Sequence, residues 1–314
     1  MDFKVLAIKE EEKLSKEELL RYYNELRKWV VTRKYTNLTL GALILAPRLK
    51  TITNRIASKL VPILAGGNVE QIQDGIENIP GGAVLFAHTH QGILDNFAWI
   101  PVTPKHCLIL HSVKVRRILK IAQLNTGLIL VSKEKKNIEN RKNATLDMIR
   151  LLVEGHSIVY FPEGTWNLSP NKLHLPMSWG FLAIAKKTGK PVIPVVDEYT
   201  YDTSRPKERI VKIHISFGTP IYVNPEDSLY DKLNEYSETI STMRWKLIEE
   251  KGLCHRDDIS NMDYVNFIEG NKKNLLLGGI DLNTERRLIW SADNEFYQFH
   301  HINDVPYNME GTLF

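Results

Sequence analysis

The stretch 83–95, AVLFAHTHQGILD, delivers His88, His90 and Asp95 in quick succession behind an apolar run. Imidazole titrates close to neutral pH, so a histidine whose second ring nitrogen is held by a carboxylate can take a proton from an attacking hydroxyl. His90 is the candidate general base. Asp95 is the candidate orienting acid, fixing the tautomer and stabilising the imidazolium as the acid of a catalytic triad does. On a regular helix residues five apart point about 140° from one another, so these two meet only if the backbone bends between them. Gly92 supplies that bend. No serine or cysteine nucleophile is required when the acceptor attacks directly, and the Gly-x-Ser-x-Gly elbow is absent from the sequence.

A second chemistry competes for the same residues. His88 and His90, two apart on a strand, would share one face and open a metal site with Asp95 as a third ligand, as in metal-dependent hydrolases. The metallo-β-lactamase pattern places Asp and His two and three residues after the second histidine, where this chain has Gly92 and Ile93. The acid–base reading is therefore preferred, with no metal and no cofactor expected. The remaining histidines, among them His106, His111, His156, His174 and His214, show no ligand spacing.

The elements that must hold the pair follow from hydrophobic pattern. Residues 83–87 have the character of a buried strand, with a short loop and a helix beginning near Ile93 after it. Residues 108–112, 127–132, 157–161, 192–196, 210–217 and 220–223 read as further strands, and 113–123, 141–154 and 180–188 as helices between them. Strands alternating with helices at this spacing predict an α/β fold, with a mixed, largely parallel central sheet flanked by helices and active groups at the strand ends. Near the start, 14–32 reads as a helix with Ser15 as N-cap and Glu18 completing a capping box, and helical pattern resumes over 38–64. Three regions result: an N-terminal basic amphipathic helical hairpin over 1–66, an α/β domain over 67–250, and an extension over 251–314 that carries no recognisable motif.

Composition narrows the setting. With 43% apolar and 25% charged residues in 314 positions, the chain is globular rather than disordered. The formal charge of +4 hides an asymmetry. Between Arg21 and Leu60, nine basic residues (Arg21, Arg27, Lys28, Arg33, Lys34, Arg48, Lys50, Arg55 and Lys59) stand against Glu25, a local balance of 9 − 1 = +8. Interleaved with Trp29, Tyr35, Leu40 and Leu43, such a face suits an anionic membrane surface; a solvated helical hairpin is the alternative. Nucleic acid is not an expected partner, because no base-reading or stacking module is present. The two cysteines form no disulfide or metal pattern, which suits a reducing compartment. Residues 1–20 lack the pattern of a signal peptide, and the longest apolar runs, 40–47 and 60–65, fall short of the ~18 residues of a spanning helix. The expected location is cytoplasmic, peripherally bound to the cytoplasmic face of a membrane.

The pattern that gives the histidine pair its weight comes about seventy residues later. Phe161-Pro162-Glu163-Gly164-Thr165 again follows an apolar strand, and a given five-residue string is far rarer by chance than a His-x4-Asp spacing. Together these blocks resemble the phospholipid and glycerol acyltransferase family. The family's Asn-His-x-Ser-x-x-Asp block lies on Thr89-His90-Gln91-Gly92-Ile93-Leu94-Asp95, keeping His and Asp, and its approach phrase is similar to Gly75-Ile76-Glu77-Asn78-Ile79-Pro80. Its second block resembles 127–131 followed by Ser132-Lys133, its third is 161–165, and its fourth is Val192-Ile193-Pro194-Val195-Val196. The resemblance spans roughly residues 68–219.

That resemblance implies transfer of a fatty acyl group from a thioester, acyl-CoA or acyl carrier protein, to a hydroxyl of a lysophospholipid or glycerol-phosphate-like acceptor. An amine or sugar is the alternative acceptor. Glu163, Gly164, Thr165 and Lys133 become candidate substrate-binding residues: Glu163 to orient the loop or bind the acceptor, amides near Gly164 to meet a developing oxyanion. Trp166 stands where the family commonly has an arginine, and an indole cannot reproduce the bidentate hydrogen bonds of a guanidinium. Lys133 keeps a cation in the second block, as a single point of charge.

Overall fold

The computed structural model of the chain describes residues 3–37, 70–90, 95, 107–112, 127–131, 137–164, 167, 173–202 and 209–251. The second half of the expected hairpin, the helix expected over 113–123 and the extension over 251–314 lie outside the described residues, apart from Lys251.

After a short helix α1 (Ile8–Glu11), helix α2 (Lys16–Val30) begins where its sequence directs it. Ser15 Oγ accepts from the Glu18 N–H and Glu18 returns a bond to the Ser15 N–H at 2.8 Å, satisfying two of the donors a helix start leaves open. The buried residues of α2, Leu19, Tyr22, Tyr23, Leu26 and Val30, recur at three- and four-residue spacing and form one face. That face is used internally. Leu26 and Val30 join the main core, while Leu19, Tyr22 and Tyr23 pack with Phe3, Leu6 and Leu14. Arg21, Lys28 and Lys34 remain exposed.

Among the described residues seven strands form one sheet: β1 (Glu70–Asp74), β2 (Leu85–His88), β3 (Cys107–Ser112), β4 (Gly127–Val131), β5 (Ser157–Tyr160), β6 (Val192–Asp202) and β7 (Arg209–Phe217). Their order is β1-β7-β6-β2-β5-β3-β4. Every neighbouring pair is parallel except the hairpin of β6 and β7, so the sheet is mixed and largely parallel as expected. β2 lies between β5 and β6 and all four of its residues are buried, which explains an apolar run without alternation. Helices α3 (Ile138–Val153) and α4 (Gly180–Thr188) supply Leu146, Ile149, Leu152, Phe181, Leu182 and Ala185 to the core with Leu85, Ala87, Ile158 and Val192. The approach to β2 runs through a single 3₁₀ turn, Ile76–Asn78, entered at Gly75 with φ 77°. A Cβ there would lie 2.1 Å from the Phe217 carbonyl oxygen, so no other residue fits.

Two elements depart from the sequence expectation. Residues 220–223 form no strand; Ile221 makes an isolated bridge to Val192. Beyond them runs a long helix, α5 (Leu229–Lys251), which the pattern reading did not foresee. It buries Leu233, Tyr236, Ile240, Arg244 and Leu247, packing chiefly on β6.

Candidate functional site

The site forms where β2 ends. His88 is the last strand residue and the chain leaves through Thr89 and His90, while Asp95 has helical backbone. The two side chains meet: His90 Nδ1 lies 2.8 Å from Asp95 Oδ2, while Gly92, where the bend was expected, lies outside the described residues. A carboxylate only accepts, so Nδ1 carries the hydrogen and Nε2 is the basic nitrogen. Asp95 is fully buried, whereas the His90 side chain keeps 14% exposure. The acid is thus shielded and the base is reachable.

The motif at residues 161–165 supports this pair from the next strand. Phe161, directly after β5, stacks on the His90 ring with centroids 4.1 Å apart and an interplanar angle of 27°. Glu163 accepts the His90 N–H at 3.1 Å with one carboxylate oxygen and the Leu175 N–H at 2.8 Å with the other. Its carboxylate orients backbone on both sides of the site, one of the two roles the sequence left open. Burial pushes the Glu163 carboxyl up to about 7, against those two amide donors that pull it down. Gly164 takes φ 67° and donates its N–H to the Phe161 carbonyl at 3.0 Å. The amide is engaged in its own turn rather than presented as an oxyanion donor. Thr165, Trp166 and Lys133 lie outside the described residues.

The two histidines do not share a strand face as the metal reading expected, because the strand stops at His88. The His88 ring turns into the core, 5.5 Å from that of Phe161, and its Nδ1 meets the Thr89 carbonyl. Burial pushes its pKa down, so it is neutral. Among the described residues no three His, Cys, Asp or Glu side chains are grouped to hold a metal ion.

Sequence reasoning missed the groups behind the pair. β6 carries Asp197 and Glu198, both fully buried, past the apolar run that signalled the strand. Thr89 Oγ donates to Asp197 Oδ1 at 3.2 Å, and burial, then the charge of Asp95, pushes the Asp197 carboxyl well above the usual carboxylate range. Arg244 of α5 pairs with Glu198 at 2.7 Å and donates to the Leu173 carbonyl. Tyr236 of the same helix donates to the Ala87 carbonyl at 3.0 Å, and Ser237 hydrogen-bonds with His174 at 2.8 Å. Helix α5 therefore ties the last turn of β2 to the segment that follows the Glu163 turn. The only signal for it was the spacing of Leu233, Tyr236, Ile240 and Leu247.

The arrangement is a shielded acid, a reachable imidazole and a carboxyl-anchored loop, suited to removing a proton from an incoming nucleophile. Residues 72–197, which contain all of these except α5 and Glu198, match the family described as Acyltransferase. The chain is 28% identical over 194 residues to the 1-acyl-sn-glycerol-3-phosphate acyltransferase of Borreliella burgdorferi, covering 61% of this chain and 74% of that protein. A crystal structure of the 1-acyl-sn-glycerophosphate (LPA) acyltransferase PlsC from Thermotoga maritima aligns with a TM-score of 0.49 and 18% identity, covering 74% of this chain and 95% of that one.

Proposed function

We propose that the chain, whose residues 72–197 match the family described as Acyltransferase, esterifies a glycerol-phosphate-type lipid acceptor, using an acyl thioester as donor and His90 as general base. The Borreliella relative's name supports a 1-acylglycerol-3-phosphate acceptor in phospholipid synthesis. The observation that carries the mechanism is the 2.8 Å contact of His90 Nδ1 with buried Asp95. As the acceptor hydroxyl attacks the thioester carbonyl, Nε2 takes its proton and the imidazolium is stabilised by Asp95. Collapse of the tetrahedral oxyanion breaks the C–S bond, and the departing thiolate receives the proton from Nε2. An ester and a free thiol result, with His90 returned to its starting state and no covalent enzyme intermediate. Acyl-CoA and acyl carrier protein both supply this donor chemistry. The basic residues between Arg21 and Lys59 suit an anionic bilayer beside which such an acceptor lies, on its cytoplasmic face. Among the described residues no helix is long and apolar enough to cross a membrane.

The test is an acyl transfer screen pairing labelled acyl-CoA and acyl carrier protein thioesters with lysophosphatidic acid, other lysophospholipids, glycerol phosphate, amines and sugars. Ester formation on lysophosphatidic acid is the expected outcome, reduced about 10²- to 10⁴-fold in His90→Ala with folding intact. Unchanged turnover in that variant would defeat the assignment of the base, and a product formed only on amines or sugars would defeat that of the acceptor.

A further inference from the structure

We propose that helix α5 positions the base: Arg244 and Tyr236 are positioning residues that hold, on one helix, the two stretches of chain between which the His90 backbone is fixed. The inference rests on His90 acting as the base. It extends the working site beyond the residues matched to the family, which end at 197, to a helix that starts at Leu229.

The first stretch is the segment 173–178, which lies outside any helix or strand. Its place is therefore set by the side chains and turns it meets rather than by a regular ladder. It is bound to the turn that follows β5: the Leu175 N–H donates to one Glu163 oxygen at 2.8 Å, and the Ser178 N–H donates to the Pro162 carbonyl at 2.9 Å. The other Glu163 oxygen accepts the His90 N–H at 3.1 Å. Where the segment sits, the Glu163 carboxyl and the backbone of the base follow.

Helix α5 fixes that segment. Ser237 and Arg244, seven residues apart, fall on one face of the helix, and both reach it. Ser237 Oγ hydrogen-bonds with His174 Nε2 at 2.8 Å, and Arg244 Nη1 donates to the Leu173 carbonyl, two residues before the amide that Glu163 accepts. Arg244 Nε lies 2.7 Å from a Glu198 oxygen on β6, with both side chains buried. A guanidinium presents its N–H groups in fixed directions, so the strand-held carboxylate aims the donor that meets Leu173. Neutralising Glu198 needs only a cation. Reaching Leu173 at the same time needs the fork.

The second stretch is the end of β2. Tyr236, fully buried, donates to the Ala87 carbonyl at 3.0 Å, three residues before His90, and its ring meets that of Phe181 edge-on at 4.8 Å. Tyr236 and Arg244 stand about two helical turns apart. The chain that delivers His90 and the chain that anchors Glu163 are thus referred to one rigid body. Both residues act through main chain, so their loss falls on the placement of the imidazole, where a shift of about 1 Å can cost on the order of 10² in rate.

Two variants and one exchange measurement test this. Arg244→Lys keeps a cation for Glu198 and loses the fork; Tyr236→Phe loses one hydroxyl and keeps the ring. With acyl-CoA and lysophosphatidic acid, kcat per folded molecule is expected to fall about ten- to a hundredfold in the first and about three- to tenfold in the second, with KM for both substrates within about twofold of wild type. The His90 and Leu175 amides are expected to exchange hydrogen at least about tenfold faster in Arg244→Lys while those of α3 keep their protection. A purely structural pair would lower the denaturation midpoint and leave these quantities alone. Wild-type kcat per folded molecule in either variant, a loss confined to KM, or unchanged exchange at both amides would overturn the proposal. If Arg244→Lys does not fold, Arg244→Met combined with Glu198→Gln removes the pair without leaving a charge unpaired; the same loss of kcat is expected, and wild-type turnover would again overturn the proposal. Retained activity in His90→Ala, or no transfer to lysophosphatidic acid by the wild type, would instead remove the reading of the function, leaving exchange at His90 and Leu175 to judge the hold of α5.

Discussion

Among the described residues two clusters of charge are buried, and they are built on opposite principles. In the first, Lys187 of α4 pairs with Glu11 of α1, and the Tyr23 hydroxyl of α2 donates to the second Glu11 oxygen at 2.8 Å. One cation meets one anion, and the result fastens the N-terminal segment to the core. In the second, at the end of β2, the buried carboxyls outnumber the guanidinium of Arg244 among the described residues. A buried ion pair that balances has no use for a proton. A buried excess of carboxyls must hold protons, and a region that holds protons is suited to moving them.

Breaking the balanced cluster should cost stability without touching chemistry. Lys187→Met leaves Glu11 buried without its cation, and a loss of about 3–5 kcal/mol is expected from urea denaturation, with kcat per folded molecule unchanged. Lys187→Met combined with Glu11→Leu should restore most of that loss, because a well-packed apolar pair commonly equals a buried salt bridge. A double variant as unstable as the single one would show that the pair contributes more than its mutual neutralisation.

The carboxyl-rich cluster should betray itself through pH. Glu163 binds its proton more tightly in the folded chain, at about 7, than the 4.5 of an unperturbed glutamate. Its contribution to stability is therefore full below about pH 4.5 and is lost as pH rises through about 7, a swing of order 3 kcal/mol. Denaturation series across that window should slope downward in the wild type and be flatter in Glu163→Gln. Equal slopes would place the proton elsewhere in the cluster. The smallest effect is expected at the cap of α2. Ser15→Ala removes one side of the capping box and should cost about 1 kcal/mol, loosening the helix that carries Tyr23 while acyl transfer stays at the wild-type rate.

What the sequence made legible follows the same division. Helix α4 runs over the residues its pattern predicts, and the capping box at Ser15 and Glu18 forms as read. His90, Asp95 and Glu163 come together because a strand end and a strand-end turn are local signals. Strand β6 was expected to stop at Val196, where the apolar run ends, yet it continues to Asp202. Hydrophobic pattern cannot register a buried Asp197 or Glu198, since Thr89, which donates to the first, lies far upstream and Arg244, which pairs with the second, far downstream. Helix α5 was passed over for a related reason. Its core series is interrupted by Arg244, a residue that looks solvated until Glu198 is placed against it. The basic residues of α2 raise a different lesson. Arg21 and Lys28 are exposed, and the apolar face beside them is occupied by the protein's own core.

The bond from Tyr236 to the Ala87 carbonyl spans 149 residues of chain, and that separation has a meaning in time. A ribosome adding about 5–20 residues per second emits the end of β2 roughly 7–30 s before the helix that clasps it. His90 and Asp95 are born early, while the Glu163 turn, the Asp197 strand and the Arg244 helix arrive in succession. During synthesis the chain therefore carries its acid–base pair without the carboxyls and guanidinium that surround it, and the site is completed only when the last of these elements docks.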